Sequence, residues 1–134
     1  MKALLTITEV GMLTYWAFAA VVALEWLMVA PEVMYADHSN PLIVAWNWSF
    51  LPIDVMFAAL GLLARFAKIK PAKAQILQTA SLALMFCAGT MAISFWALQC
   101  WFDLAWWGMN AWLVGLAIVA GVKQLENVGE QVAT

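Results

Sequence analysis

The sequence predicts an all-α integral membrane protein, a four-helix antiparallel transmembrane bundle with both termini cytoplasmic. Three observations predict it. First, hydrophobic residues make up 66% of the 134 and charged residues 10%, against about 25% charged in an ordinary soluble domain. Mean hydropathy is +0.89. A soluble chain this short leaves much of its area in water, and soluble monomers rarely expose large apolar patches. A soluble enzyme, a nucleic-acid binder and a disordered chain are therefore excluded. Second, four stretches reach the roughly 20 mainly apolar residues that a membrane helix needs. Third, the basic residues Lys2, Arg65, Lys68, Lys70, Lys73 and Lys123 all fall on one side of a four-span topology. The positive-inside rule makes that side cytoplasmic.

The first span covers about 3–30. Glu9 and Glu25 interrupt it and Pro31 ends it. Its apolar run is about twice the length of a signal-peptide core, so it is expected to remain as a span. The second span covers about 42–63, the third 74–98 and the fourth 104–122. The connections between them are short, which makes sequential antiparallel neighbours, and a single transmembrane domain over 1–134 is expected. The connection 64–73 carries Arg65, Lys68, Lys70 and Lys73. It reads as a topology signal, and it also suits contact with anionic lipid heads.

Ionisable groups at membrane depth are costly and usually face a bundle interior or a wet cavity. Asp54 lies about twelve residues into the second span, near the midplane by the 1.5 Å rise of a helix. No Lys or Arg is expected in a span at that depth. A charged acid there costs at least ~2.5 kcal/mol on insertion scales. Asp54 therefore reads either as a hydrogen-bonding group for packing or as the counter-charge of an arriving cation. Asn47, seven residues earlier, shares its helix face. Pro52 removes a backbone donor and predicts a kink, with the Ser49 hydroxyl available to the freed carbonyls.

In the third span Ala83, Cys87, Thr90, Ser94 and Ala97 form a small-residue stripe suited to close helix approach. Thr90 and Ser94 on it are candidates to reach Asp54 or Asn110. In the fourth span Asp103 and Asn110 share a face beside Trp106; Asp103 also fits an acidic first-turn residue. Glu9 sits near the cytoplasmic end of the first span, where it is expected to snorkel to the interface or pair with Lys2. Small multidrug-resistance transporters also carry a lone acid in the first of four spans, which keeps Glu9 a candidate ligand contact; the rest of their pattern is absent.

The chain has nine tryptophans, and all but Trp16 fall in or toward the outer half of the expected topology. Indoles favour the interface, but a belt normally serves both faces. The excess points to an aromatic-lined cavity opening outward or to a partner surface, beside the plainer reading of a belt plus packing. Aromatic faces also attract cations. The candidate ligand-binding residues are thus Asp54, Asn47, Asn110, Trp48, Trp106, Asp103 and Glu9. Cys87 and Cys100 stand about 20 Å apart on a helix, too far to pair, and Cys87 reads as a small packing residue. The single histidine, His38, lies in a connection, so a histidine-ligated haem is not expected, nor is a metal site. No catalytic residue and no cofactor is assigned. An isomerase-like enzyme is the least supported reading.

Several motifs carry a resemblance. They are Thr8-Glu9-Val10-Gly11 with Tyr15-Trp16, and the run from Asn40-Pro41 through Trp46-Asn47-Trp48-Ser49-Phe50-Leu51-Pro52-Ile53-Asp54. Phe86-Cys87-Ala88-Gly89, Ser94-Phe95-Trp96-Ala97 and Phe102-Asp103-Leu104-Ala105-Trp106-Trp107 with Asn110 complete the set. Together they resemble the YvaD-like family of small bacterial four-span membrane proteins of unknown function. The resemblance implies a multi-pass protein of the bacterial cytoplasmic (inner) membrane and supplies no reaction. The expectation is a protein that binds or transports a small lipophilic or cationic molecule in an aromatic-lined, acid-containing bundle cavity. The alternative is a non-catalytic accessory subunit of a larger membrane complex. Expected partners are the lipid bilayer, such a ligand, and a homo-oligomer or larger complex, with no nucleic acid.

Overall fold

The computed structural model describes residues 1–30 and 37–133, with side chains described through 126. Its helices are α1 (Lys2–Ala23), α2 (Pro41–Trp48), α3 (Leu51–Phe66), α4 (Pro71–Leu98) and α5 (Leu104–Ala133). Four stretches are long and apolar enough to cross a membrane: Lys2–Ala23, Pro41–Phe66, Pro71–Leu98 and Leu104–Glu126. The chain is a multi-pass, all-helical membrane protein, and α2 and α3 share one span.

The first helix stops at Ala23 rather than near residue 30. Glu25 turns into the left-handed region at φ 59°. The Trp26 amide then donates to the Val21 carbonyl at 3.1 Å and the Glu25 amide to Val22 at 3.0 Å, which is a Schellman ending. Pro31, expected as the terminator, lies outside the described residues. α4 closes in the same way. Cys100 has φ 54°, Trp101 N–H reaches the Trp96 carbonyl at 3.0 Å, and Cys100 N–H reaches Ala97 at 3.1 Å. Neither left-handed residue is glycine, so each ending carries about 1–2 kcal/mol of steric cost.

The second span starts where the Asn40 side chain accepts the Leu42 amide at 3.0 Å, with Pro41 preset for the first helical position. It breaks before Pro52. The Phe50 amide bonds back to Asn47, three residues away rather than four, at 3.2 Å. The Ser49 hydroxyl donates to the Trp46 carbonyl at 2.6 Å, and not to the Trp48 carbonyl that Pro52 leaves without its usual donor. α3 then runs on to Phe66, so Arg65 belongs to its last turn and not to the connection.

α3 packs against both α1 and α4, and α4 packs against α5. α1 and α5 are joined by a hydrogen bond from Trp112 Nε1 to Thr8 Oγ1, 2.9 Å long. The four spans thus form an arc that is left partly open between its first and last helices. One apolar cluster centres on Phe57, Met85, Leu113 and Leu116. A second joins Trp16, Phe50, Ala88 and Ala92.

The small-residue stripe of α4 is placed differently from the expectation. Ala83, Cys87, Ser94 and Ala97 are exposed, and Thr90 is half-buried. The buried row is Ser81, Leu82, Met85, Ala88, Gly89, Ala92 and Trp96. Small residues occur around much of this helix, so spacing alone did not select the packed side. Gly89 decides it: a Cβ there would stand 2.7 Å from the Asn110 carbonyl oxygen. This backbone approach needs glycine.

Candidate functional site

A cavity of about 1010 Å³ occupies the opening between α1 and α5. Asn47, Phe50 and Asp54 line it from the broken second span, and Ala88 and Ala92 from α4. Met12, Tyr15 and Trp16 line it from α1; Trp106, Asn110 and Leu113 line it from α5. Trp48 and Asp103 also line it. Six of the seven sequence-derived candidates therefore share one cleft: Asp54, Asn47, Asn110, Trp48, Trp106 and Asp103. No lysine, arginine or histidine is among the lining residues.

Asp54 is 6% exposed. The break in the span places it in the first turn of α3, opposite the buried Trp16 of α1. Trp16 Nε1 donates to Asp54 Oδ2 at 2.9 Å. Asp54 Oδ1 is buried and accepts no hydrogen bond. A lone buried acceptor is unusual, because buried polar atoms are nearly all partnered. Trp16 in turn packs against Trp48, with ring centroids 5.4 Å apart, and edge-on against Tyr15 at 5.2 Å.

The other polar groups of the cleft divide between helix ends and open donors. Asp103 Oδ1 accepts the Trp106 amide at 2.7 Å, which makes it the N-cap of α5 as well as a lining residue. Asn110 Nδ2 donates to the Trp106 carbonyl within its own helix at 2.9 Å. Trp106 Nε1 is buried without an acceptor. Thr90 Oγ1 is likewise unpartnered, so the expected hydrogen bond from Thr90 to Asp54 or Asn110 is not made. The tryptophans gather into a cluster rather than only a belt. Trp46 stacks on Phe95 at 4.1 Å and meets Trp96 edge-on at 5.7 Å. Trp96 packs on Trp101 at 4.4 Å, and Trp106 lies 6.3 Å from Trp46.

Glu9 is the candidate that the structure sets apart. It is fully buried, is absent from the cleft lining, and is ion-paired with Arg65. Arg65 Nη1 also donates to Gln78 Oε1 at 2.9 Å, and its Nε to Thr6 Oγ1 at 3.2 Å. These bonds tie α1, α3 and α4 together at the end carrying the basic connection. The expected snorkelling of Glu9, or its pairing with Lys2, is corrected by this arrangement. The reason is the extra helical turn of α3, which carries the guanidinium to the level of Glu9. Gly61 makes the room: a Cβ there would collide with the Glu9 carboxylate and lie 2.8 Å from Ser81 Oγ. In the sequence Arg65 reads only as a topology signal, and Trp16 is not marked as the donor to Asp54. The signal for Arg65 was present, since it follows an apolar run with glycine four residues before it. Cys87, expected to pack inside, is exposed.

Among the described residues no three His, Cys, Asp or Glu side chains gather as metal ligands. A family model described as "Family of unknown function (DUF5360)" matches residues 1–127. The chain is also 31% identical over 115 residues to "Uncharacterized protein YvaD" of Bacillus subtilis (strain 168). That similarity covers 85% of this chain and 83% of the relative. No solved structure matches the chain.

Proposed function

The chain belongs to the DUF5360 family, and we propose that it binds or transports a small lipophilic or cationic molecule in the α1–α5 cleft. The observation that carries this reading is Asp54 Oδ1, a buried acceptor without a partner in an aromatic cleft lined by no basic side chain. A donor or cation arriving there meets an acid already oriented by Trp16 Nε1. It also meets indole faces that attract positive charge. Asn47, Asn110, Trp48, Trp106 and Asp103 complete the candidate site. Glu9 serves the bundle rather than the ligand. No chemical step is part of the proposal.

The proposed setting is the bacterial cytoplasmic membrane, with both termini and the connection after α3 in the cytoplasm, because the basic residues cluster there. A cysteine at position 70, in a chain otherwise free of cysteine, should resist impermeant thiol reagents in intact cells. Labelling from outside would reverse the orientation.

The function is tested by the melting temperature of purified protein across a panel of lipophilic amines and quaternary cations. At least one should stabilise the wild type and not Asp54→Asn. A panel that moves neither protein would transfer support to the second reading, an accessory subunit. That reading draws on the outward-facing Ala83, Cys87, Ser94 and Ala97 of α4, which suit close approach by another helix.

A further inference from the structure

The cleft has a side as well as an end, and no described residue closes its side. α1 and α5 are the flanking helices, and exposed apolar side chains stand along its edges. Ile7 is 68% exposed on α1, and Met109 is 61% exposed on α5. Such a rim faces hydrocarbon in a four-span protein, so this opening leads into the bilayer and not into water. Two glycines lie on the same two edges. Gly11 of α1 and Gly108 of α5 both line the cleft, and a Cβ built on either would meet nothing within 4 Å. Neither glycine is there for a close helix contact, in contrast to Gly61 and Gly89. Neither has the positive φ that would require glycine. Glycine within a helix is destabilising relative to alanine, and here nothing in the protein's own packing calls for it. What the two absent side chains leave is width at the cleft's edges.

We propose that the occupant is a single-chain amphiphile with an ammonium head, taken from the bilayer. Its head lies at Asp54 beside the packed pair Trp16 and Trp48, and its tail leaves the bundle through the side opening between Gly11 and Gly108. This rests on the ligand-binding reading above and adds the ligand's shape and route. The ammonium supplies what Asp54 Oδ1 lacks, a hydrogen-bond donor carrying positive charge. The tail needs no polar partner along Met12, Gly11 and Gly108. The outer lining is therefore suited to an alkyl chain, and the binding of head and tail is separable.

That separation gives the test. Hexylamine and dodecylamine are titrated into the purified full-length protein by calorimetry, using wild type, Asp54→Asn, Gly11→Leu, Gly108→Leu and Gly115→Leu. Gly115 also has open space at its Cβ but does not line the cleft, so it controls for the substitution itself. Melting curves check that each variant folds; leucine favours helix over glycine, and a Cβ at these positions meets nothing within 4 Å. Gly11→Leu and Gly108→Leu should weaken dodecylamine by about tenfold or more, equivalent to keeping about two methylenes out of the cleft. They should leave hexylamine nearly unchanged, and Gly115→Leu should alter neither. Asp54→Asn should weaken both amines. If Gly11→Leu and Gly108→Leu leave dodecylamine binding at the wild-type level, or weaken both amines alike, the side route is wrong while the Asp54 site stands. If Asp54→Asn binds both as wild type does, or wild type binds neither, the site reading itself falls and the route with it.

Discussion

Among the described residues two carboxyl groups are buried, Glu9 and Asp54, both on the contact between α1 and α3, and they are treated in opposite ways. Glu9 meets a guanidinium that also bonds Thr6 and Gln78. Asp54 meets an indole N–H on one oxygen and nothing on the other. Glu9 is enclosed, with Gly61 cut back to admit it. Asp54 borders a cavity of about 1010 Å³. The Glu9 charge is neutralised within the chain by Arg65, although its Oε1 accepts no hydrogen bond, and removing one partner leaves an uncompensated ion. A buried acceptor beside open space is incomplete within the chain, and something else can complete it. The comparison separates an acid that holds helices together from an acid available to a ligand.

The largest expected effect comes from breaking the complete pair. Arg65→Met should cost about 3–5 kcal/mol of unfolding free energy in mixed micelles, because it strands Glu9. Adding Glu9→Gln to Arg65→Met should restore most of the loss. A single variant as stable as wild type would remove the structural half of the comparison. Next comes Gly61→Ala, expected to cost about 1–3 kcal/mol by overpacking, since its Cβ would press on Glu9 and Ser81. Comparing Glu9→Ala with Glu9→Ala/Gly61→Ala would sharpen this, because the added Cβ should cost little once the carboxylate is gone. Asp54→Asn should change stability by less than about 1 kcal/mol, because an amide oxygen can still accept from Trp16. The smallest effect is away from both acids. Cys100→Gly should raise stability by about 0.5 kcal/mol, as relief of the left-handed residue outweighs the added entropy of the unfolded chain.

The architecture was legible because its signals are long. Apolar runs of about 20 residues do not depend on local detail. The Asp54 side of the site was also legible. Asn47 and Asp54 stand seven residues apart beside Pro52, and their chemistry is out of place in hydrocarbon. The Glu9 side was not, because it turned on whether α3 ends before or after Arg65. One turn of helix decides whether that guanidinium is solvated in a loop or delivered to α1. Hydropathy falls off at Arg65 in either case. The outward stripe of α4 was misplaced for a related reason: a helix with small residues around much of its girth gives no unique close face. Gly89 marks that face only through the α5 backbone beside it. The end of α1 was hidden because Glu25 occupies a position where the sequence signal is ordinarily glycine, whereas α4 ends at Leu98 as its apolar run indicated.

The two acids are thus proposed to take different roles, Glu9 a structural one and Asp54 one toward a ligand. This assignment is tested most directly by purifying wild type, Glu9→Gln and Asp54→Asn and measuring both dodecylamine affinity and melting temperature on each. The account predicts a crossed result. Asp54→Asn should lose affinity by about tenfold or more, as expected when a charge-assisted bond worth about 1.5–3 kcal/mol is removed, and should melt near wild type. Glu9→Gln should melt markedly lower and, while folded, bind dodecylamine as wild type does. Equal affinity in wild type and Asp54→Asn, or a loss of affinity confined to Glu9→Gln, would contradict it.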